Sequence, residues 1–115
     1  MHLPEEGYLL RIFIGESDRH NGKPLYEWLV LQAREHELAG ATVLRGVMGF
    51  GANTRVIHTF KIERLSEDMP MVVEIVDTKE KLEKFLDTID PAIKAGLVTL
   101  EKAQIKFYRA DKTNH

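Results

Sequence analysis

Two strand-like stretches, YLLRIFI at 8–14 and MVVEIVD at 71–77, are apolar on both faces, each with one charge near its middle. In an extended chain successive side chains point to opposite sides. Leu10, Ile12 and Ile14 therefore share one face of the first stretch, and Leu9, Arg11 and Phe13 the other. Val72, Glu74 and Val76 join the second set. A sheet with one wet face alternates apolar and polar residues cleanly. These strands do not, so both faces of the sheet they build need cover.

The rest of the chain supplies cover for one face. Pro24 suits a first helical turn and Gly40 the position past a helix end, so the spacing predicts a helix over 24–39. Its apolar residues, Leu25, Tyr26, Trp28, Leu29, Val30 and Leu31, cover more than half its circumference. Between the first strand and this helix, ESDRHNGK reads as a polar loop turning at Gly22. A second strand is expected over 41–48, with Thr42 and Leu44 toward the core and Val43, Arg45 and Val47 away from it. RVIHTFKIERL, 55–65, alternates like a half-exposed extended arm. Thr78 is the expected N-cap of a second helix carrying Leu82, Phe85, Leu86 and Ile89 at helical spacing and closed by Pro91. The last strand reads as split, 97–100 and 104–108.

The order is βαββαβ, an α+β, ferredoxin-like sandwich: a four-stranded antiparallel sheet with two helices on one face. That leaves the second apolar face bare. A homo-oligomer is the expected cover, with Arg11, Arg45 and Glu74 available to pair across the face rather than remain lone buried charges.

At 115 residues the chain has length for one domain, 1–115, and one core. Its 16 basic and 18 acidic residues are spread evenly to a net charge of −2, which disfavours a nucleic-acid surface. The absence of cysteine removes disulfides, thiolate nucleophiles and cysteine zinc sites. No run is long and apolar enough for a membrane span, and the first residues lack the order of a signal peptide, so a cytoplasmic location is expected.

The chemistry-bearing stretch is RGVMGFG, 45–51. Gly46, Gly49 and Gly51 allow positive φ and close backbone approach to a ligand, and successive N–H groups there can cradle an anion. They also permit a tight exit from a strand and nothing more. Neither the Walker loop nor the dinucleotide fingerprint is present.

ESDRHNGKPLYEWLV, AGATVLRGVMGFG, RLSEDMPMVVEIVD and GLVTLEKAQI, in that order, resemble the PII-like family catalogued as Domain of Unknown Function 190, over about residues 8–109. The resemblance implies a trimeric signalling subunit of the PII superfamily. An adenine nucleotide (ATP, ADP, AMP or cyclic AMP) would bind in clefts between subunits, at the base of a partner-reading T-loop of about 49–69. It further implies a cleft lined by Gly46, Gly49, Phe50 and Gly51, with Arg45 or Arg55 near phosphate and Lys106 or Arg109 added from the C-terminal stretch. A membrane transporter or channel is the partner class that superfamily analogy suggests. Tyr8, Tyr26 and Tyr108 all fall outside 49–69, so the tyrosine modification of PII proteins proper is not implied.

Other chemistry is weaker. The five histidines (2, 20, 36, 58 and 115) show no HxxxH or HExxH spacing, His36 suits a hydrogen-bonded structural role, and His58 suits an exposed arm. Glu16, Asp18, His20 and Lys23 crowd one loop, either as an acid–base cluster or as a solvated turn, and Ser17 has no base and orienter beside it. The expectation is a non-enzyme with no metal; a metal-handling trimer of the cation-tolerance kind, or a small enzyme, is the alternative.

Overall fold

The computed structural model describes residues 5–52 and 68–111. Its elements are β1 (Glu6–Gly15), β2 (Arg19–His20), β3 (Lys23–Pro24), α1 (Leu25–Glu35), β4 (Thr42–Arg45), β5 (Pro70–Asp77), α2 (Lys79–Ile89) and β6 (Leu97–Gln104), with a 3-10 turn at Asp90–Ala92. The sheet order is β4-β5-β1-β6 with every neighbouring pair antiparallel, the ferredoxin-like topology.

The core forms where the strands' alternation meets the helices. Leu10, Ile12 and Ile14 of β1 and Met71, Val73 and Ile75 of β5 are buried against Leu25, Leu29 and Ala33 of α1 and Leu82, Phe85 and Ile89 of α2. Helix α2 starts as expected, with Thr78 Oγ1 accepting from the Lys81 N–H at 3.3 Å. His36 is held structurally: Nδ1 lies 2.9 Å from Gln32 O, Nε2 lies 3.2 Å from Thr88 Oγ1, and the ring stands edge-on to Phe85.

Four sequence expectations are corrected. The first helix ends at Glu35, four residues before 39, because Glu37 adopts a left-handed φ of 57° and closes a Schellman turn. The Leu38 N–H donates to Ala33 O and the Glu37 N–H to Arg34 O, and Leu38 packs into the core. Replacing Glu37 by glycine should therefore stabilise the protein by about 1 kcal/mol in urea denaturation, since only glycine occupies this region without steric cost.

The loop after β1 is a hairpin. Arg19 pairs with Pro24 and His20 with Lys23, around Asn21 and Gly22 at φ 53° and 77°, the signature of a type I′ turn. The last strand is a single run, 97–104, and residues 105–108 leave it.

The second strand shrinks from 41–48 to Thr42–Arg45, and its faces are reversed. The ladder sets Val43 opposite Val73 and Leu44 opposite Val72. Val43 therefore packs on the core, while Thr42 and Leu44 turn to the bare face. That face includes Leu9, Arg11 and Phe13, Val72, Glu74 and Val76, and Thr42 and Leu44, the last 48% exposed.

Of the expected charge pairing, Arg11 takes part and Arg45 does not. The Arg11 Nε–H donates to Glu74 Oε2 at 3.0 Å and its Nη1–H to Glu101 Oε1 at 2.6 Å. The hydrogen bond to Glu74 is the main force raising the Arg11 pKa; desolvation opposes it and the charges of Glu101 and Glu74 add to it. Arg45 reaches Glu16 instead. A guanidinium tied to carboxylates on both neighbouring strands leaves an apolar face whose central charge is already met.

Candidate functional site

Between β4 and β5 the chain makes the excursion that the glycine-rich stretch opens. Its two roots touch. The Gly46 N–H donates to Pro70 O at 2.7 Å, and a Cβ at Gly46 would sit 2.8 Å from Pro70 Cγ. Gly49, at φ 154°, lies against the same proline. These two glycines are therefore required by close packing of the roots.

The loop after β1 stitches the returning root in place. The Glu16 N–H donates to Met69 O at 2.8 Å, and the Met69 N–H donates to Glu16 Oε1 at 3.3 Å. The Ser17 N–H donates to Asp68 Oδ1 at 2.9 Å, and the Gly15 N–H to Asp18 Oδ2 at 3.0 Å. Glu16 also holds the outgoing root, since both its oxygens lie 3.1 Å from Arg45 Nε. The acids of ESDRHNGK thus act as backbone clamps, while His20 turns away to stand edge-on against Trp28 at 4.3 Å between ring centroids. The loop cluster is divided between two tasks.

These contacts frame a cavity of about 400 Å³, lined by Phe13, Asp18, Phe50, Gly51, Asp68 and Gly96 among others. Its size lies in the range of small-ligand sites. Two aromatic rings supply stacking surface, and among the described residues Asp18 and Asp68 are its only charged liners. Phe50, 71% exposed, stands at the wall rather than in a packed core.

Of the residues expected to meet a ligand, Phe50 and Gly51 line this cavity, and Gly46 and Gly49 shape its approach. Arg45 stands just behind it, opposite the lining residue Met71 in the ladder. Lys106 and Arg109 do not join them within one protomer. The chain beyond β6 turns over one end of the same sheet face, where Ile105, Phe107 and Tyr108 partly cover Leu9, Thr42 and Val76 around a second cavity of about 340 Å³ and leave the end at Phe13, Val72 and Leu44 bare. The Tyr108 hydroxyl donates to Ala39 O at 2.6 Å, and the Arg109 guanidinium lies 4.1 Å from the Phe107 ring centroid. Arg55, His58 and residues 53–67 of the expected T-loop lie outside the described residues.

Sequence reasoning overlooked Phe13, Asp68 and the cavity role of Asp18. The signal for the first was its place at the end of an over-apolar strand. The acids carried none, because a clamp on backbone N–H groups and a solvated turn use the same residue types. Among the described residues, no group of three or more His, Asp or Glu side chains is arranged to hold a metal ion, and no helix is long and apolar enough to cross a membrane.

The model of the DUF190 family (Uncharacterized ACR, COG1993) matches residues 7–105. The chain belongs to this family. A UPF0166 protein of Aquifex aeolicus is 42% identical over 99 residues, covering 86% of this chain and 92% of that protein. Another, from Methanocaldococcus jannaschii, is 30% identical over 98 residues, covering 84% and 89%. Among solved structures, this DUF190 chain is similar to CPII, a nitrogen regulatory PII-like protein of Thiomonas intermedia K12 bound to ADP, AMP and bicarbonate. The TM-score is 0.64 at 14% identity, over 87% of this chain and 88% of that one. A Thermus thermophilus protein described as PII-like in signalling gives 0.59 at 16% identity, over 87% and 89%. The DUF190 chain thus has the PII-like fold, the architecture expected from its block order.

Proposed function

We propose that this protein is a non-enzymatic PII-like regulatory subunit. It binds an adenine nucleotide in the cavity at the roots of the β4–β5 excursion, and a partner protein reads the segment between about 49 and 69. The observation that carries this reading is the character of the cavity: two phenylalanines, glycines and two carboxylates at the base of the excursion, without a cation among the described residues that line it. Such a wall accepts an uncharged aromatic ring and repels phosphate. The phosphates must then lie outside, toward Arg45 and toward cations from elsewhere.

A second copy offers those cations. Lys106 and Arg109, at the far end of their own sheet, can serve a neighbouring copy if protomers pack through the bare face. A closed trimer is the assembly proposed, and adenine nucleotides bound to the similar CPII agree with the ligand class. A ligand bound this way acts only through unequal affinity for two states of the partner-reading segment. The test is calorimetry with ATP, ADP, AMP and cyclic AMP, beside a copper and zinc screen. The expected result is saturable heat from at least one nucleotide, without turnover. Metal binding with no nucleotide binding would overturn the reading in favour of a cation-handling trimer.

A further inference from the structure

We infer that Asp18 selects the base, admitting rings that present an amino group and rejecting those that present a carbonyl in its place. The inference rests on the nucleotide reading above and sharpens it.

Asp18 faces the cavity together with Phe13 and Phe50. Its Oδ2 is already committed, accepting from the Gly15 N–H at 3.0 Å, which fixes the carboxylate in orientation. Oδ1 is the atom left to meet an occupant. Beside it, on the same side of Gly15, Asp68 is held in the same manner by the Ser17 N–H at 2.9 Å. Two anchored carboxylates facing a space flanked by aromatic rings make a site rich in acceptors, with no charged donor among the described residues that line it.

A flat ring stacked there, a contact worth about 1–3 kcal/mol for a nucleobase on an aromatic side chain, must bring the donors itself. The exocyclic amine of adenine does so. Hypoxanthine, which carries a carbonyl at that position, would set oxygen against carboxylate oxygen, and a buried acceptor without a donor is strongly disfavoured. Selection thus works by both attraction and rejection.

The experiment compares AMP with IMP, which differ in the group on C6 and in the proton that hypoxanthine carries on the adjoining N1, by calorimetry on the wild-type protein and on Asp18→Asn. The asparagine keeps an oxygen for the Gly15 N–H and turns an NH2 donor to the cavity. The wild type should bind AMP about 30-fold or more tightly than IMP. In Asp18→Asn the ratio should fall about tenfold, with AMP weakened and IMP strengthened. Equal wild-type affinities would overturn the inference while leaving the nucleotide reading intact. An unchanged ratio in Asp18→Asn would assign selection to another residue and overturn it likewise. If the wild type binds no nucleotide of the series, both fall together. The wild-type ratio is informative even if the variant folds poorly.

Discussion

Replacing Val72 by glutamate is expected to break the proposed trimer into stable protomers. Val72 lies between Phe13 on β1 and Leu44 on β4, at the middle of the bare sheet face. In one protomer it is half-buried, so a carboxylate there reaches water and costs the fold little. Under a neighbouring copy it would be desolvated beside Arg11, whose guanidinium is already shared between Glu74 and Glu101. An unpaired buried charge costs several kcal/mol, and a closed trimer repeats that cost at each interface. At about 1.4 kcal/mol per tenfold, dissociation should strengthen by at least about a hundredfold. Sedimentation equilibrium should then show a protomer with unchanged circular dichroism. A variant that sediments like the wild-type assembly would remove the sheet face from the interface.

The largest expected loss of fold stability comes from Asp77→Ala. Asp77 ends β5 and is the one polar residue of the described chain buried completely. Its Oδ2 accepts from the Ala39 N–H at 2.8 Å and its Oδ1 from the Thr78 N–H at 2.7 Å, with Lys81 Nζ 3.9 Å away. The carboxylate thereby ties the α1–β4 connection to the start of α2, whose N-terminal end favours negative charge. Alanine would leave two backbone donors without this acceptor and open a small void. A loss of about 3 kcal/mol is expected, a large share of a stability of ordinarily about 5–15 kcal/mol. Asp77→Asn keeps one oxygen and should lose about half as much. Chemical denaturation of the two variants checks this; equal and small losses would mean that water replaces the carboxylate.

Long apolar runs are the most legible part of this sequence. Leu10, Ile12 and Ile14 declare their face without ambiguity, and Thr78 with Leu82, Phe85 and Ile89 locates α2. Where pattern and pairing compete, pairing wins. The alternation read from the sequence puts Thr42 and Leu44 inside, but a four-residue edge strand takes its face from the ladder with β5, and Val43 opposite Val73 decides it. That reversal adds Leu44 to the bare face and strengthens the case for a covered sheet.

The hairpin at Asn21–Gly22 is legible in principle, since Asn-Gly is the strongest local sign of a type I′ turn. The early end of α1 is not, because nothing in the sequence marks glutamate for a left-handed position normally left to glycine. At the site, the glycines point to the right place for a partly different reason. Gly46 and Gly49 make room for Pro70, while Phe13, Asp18, Phe50 and Asp68, drawn from separate segments, build the cavity wall. A constellation assembled from three segments has no signature in any one of them.

The central claim is that copies of this chain close on one another through the bare β face and hold an adenine nucleotide at each seam. Native mass spectrometry of the purified protein with ADP tests it in one spectrum. The predicted species is three chains carrying up to three nucleotides, whereas a single chain, with or without one bound, would contradict the account.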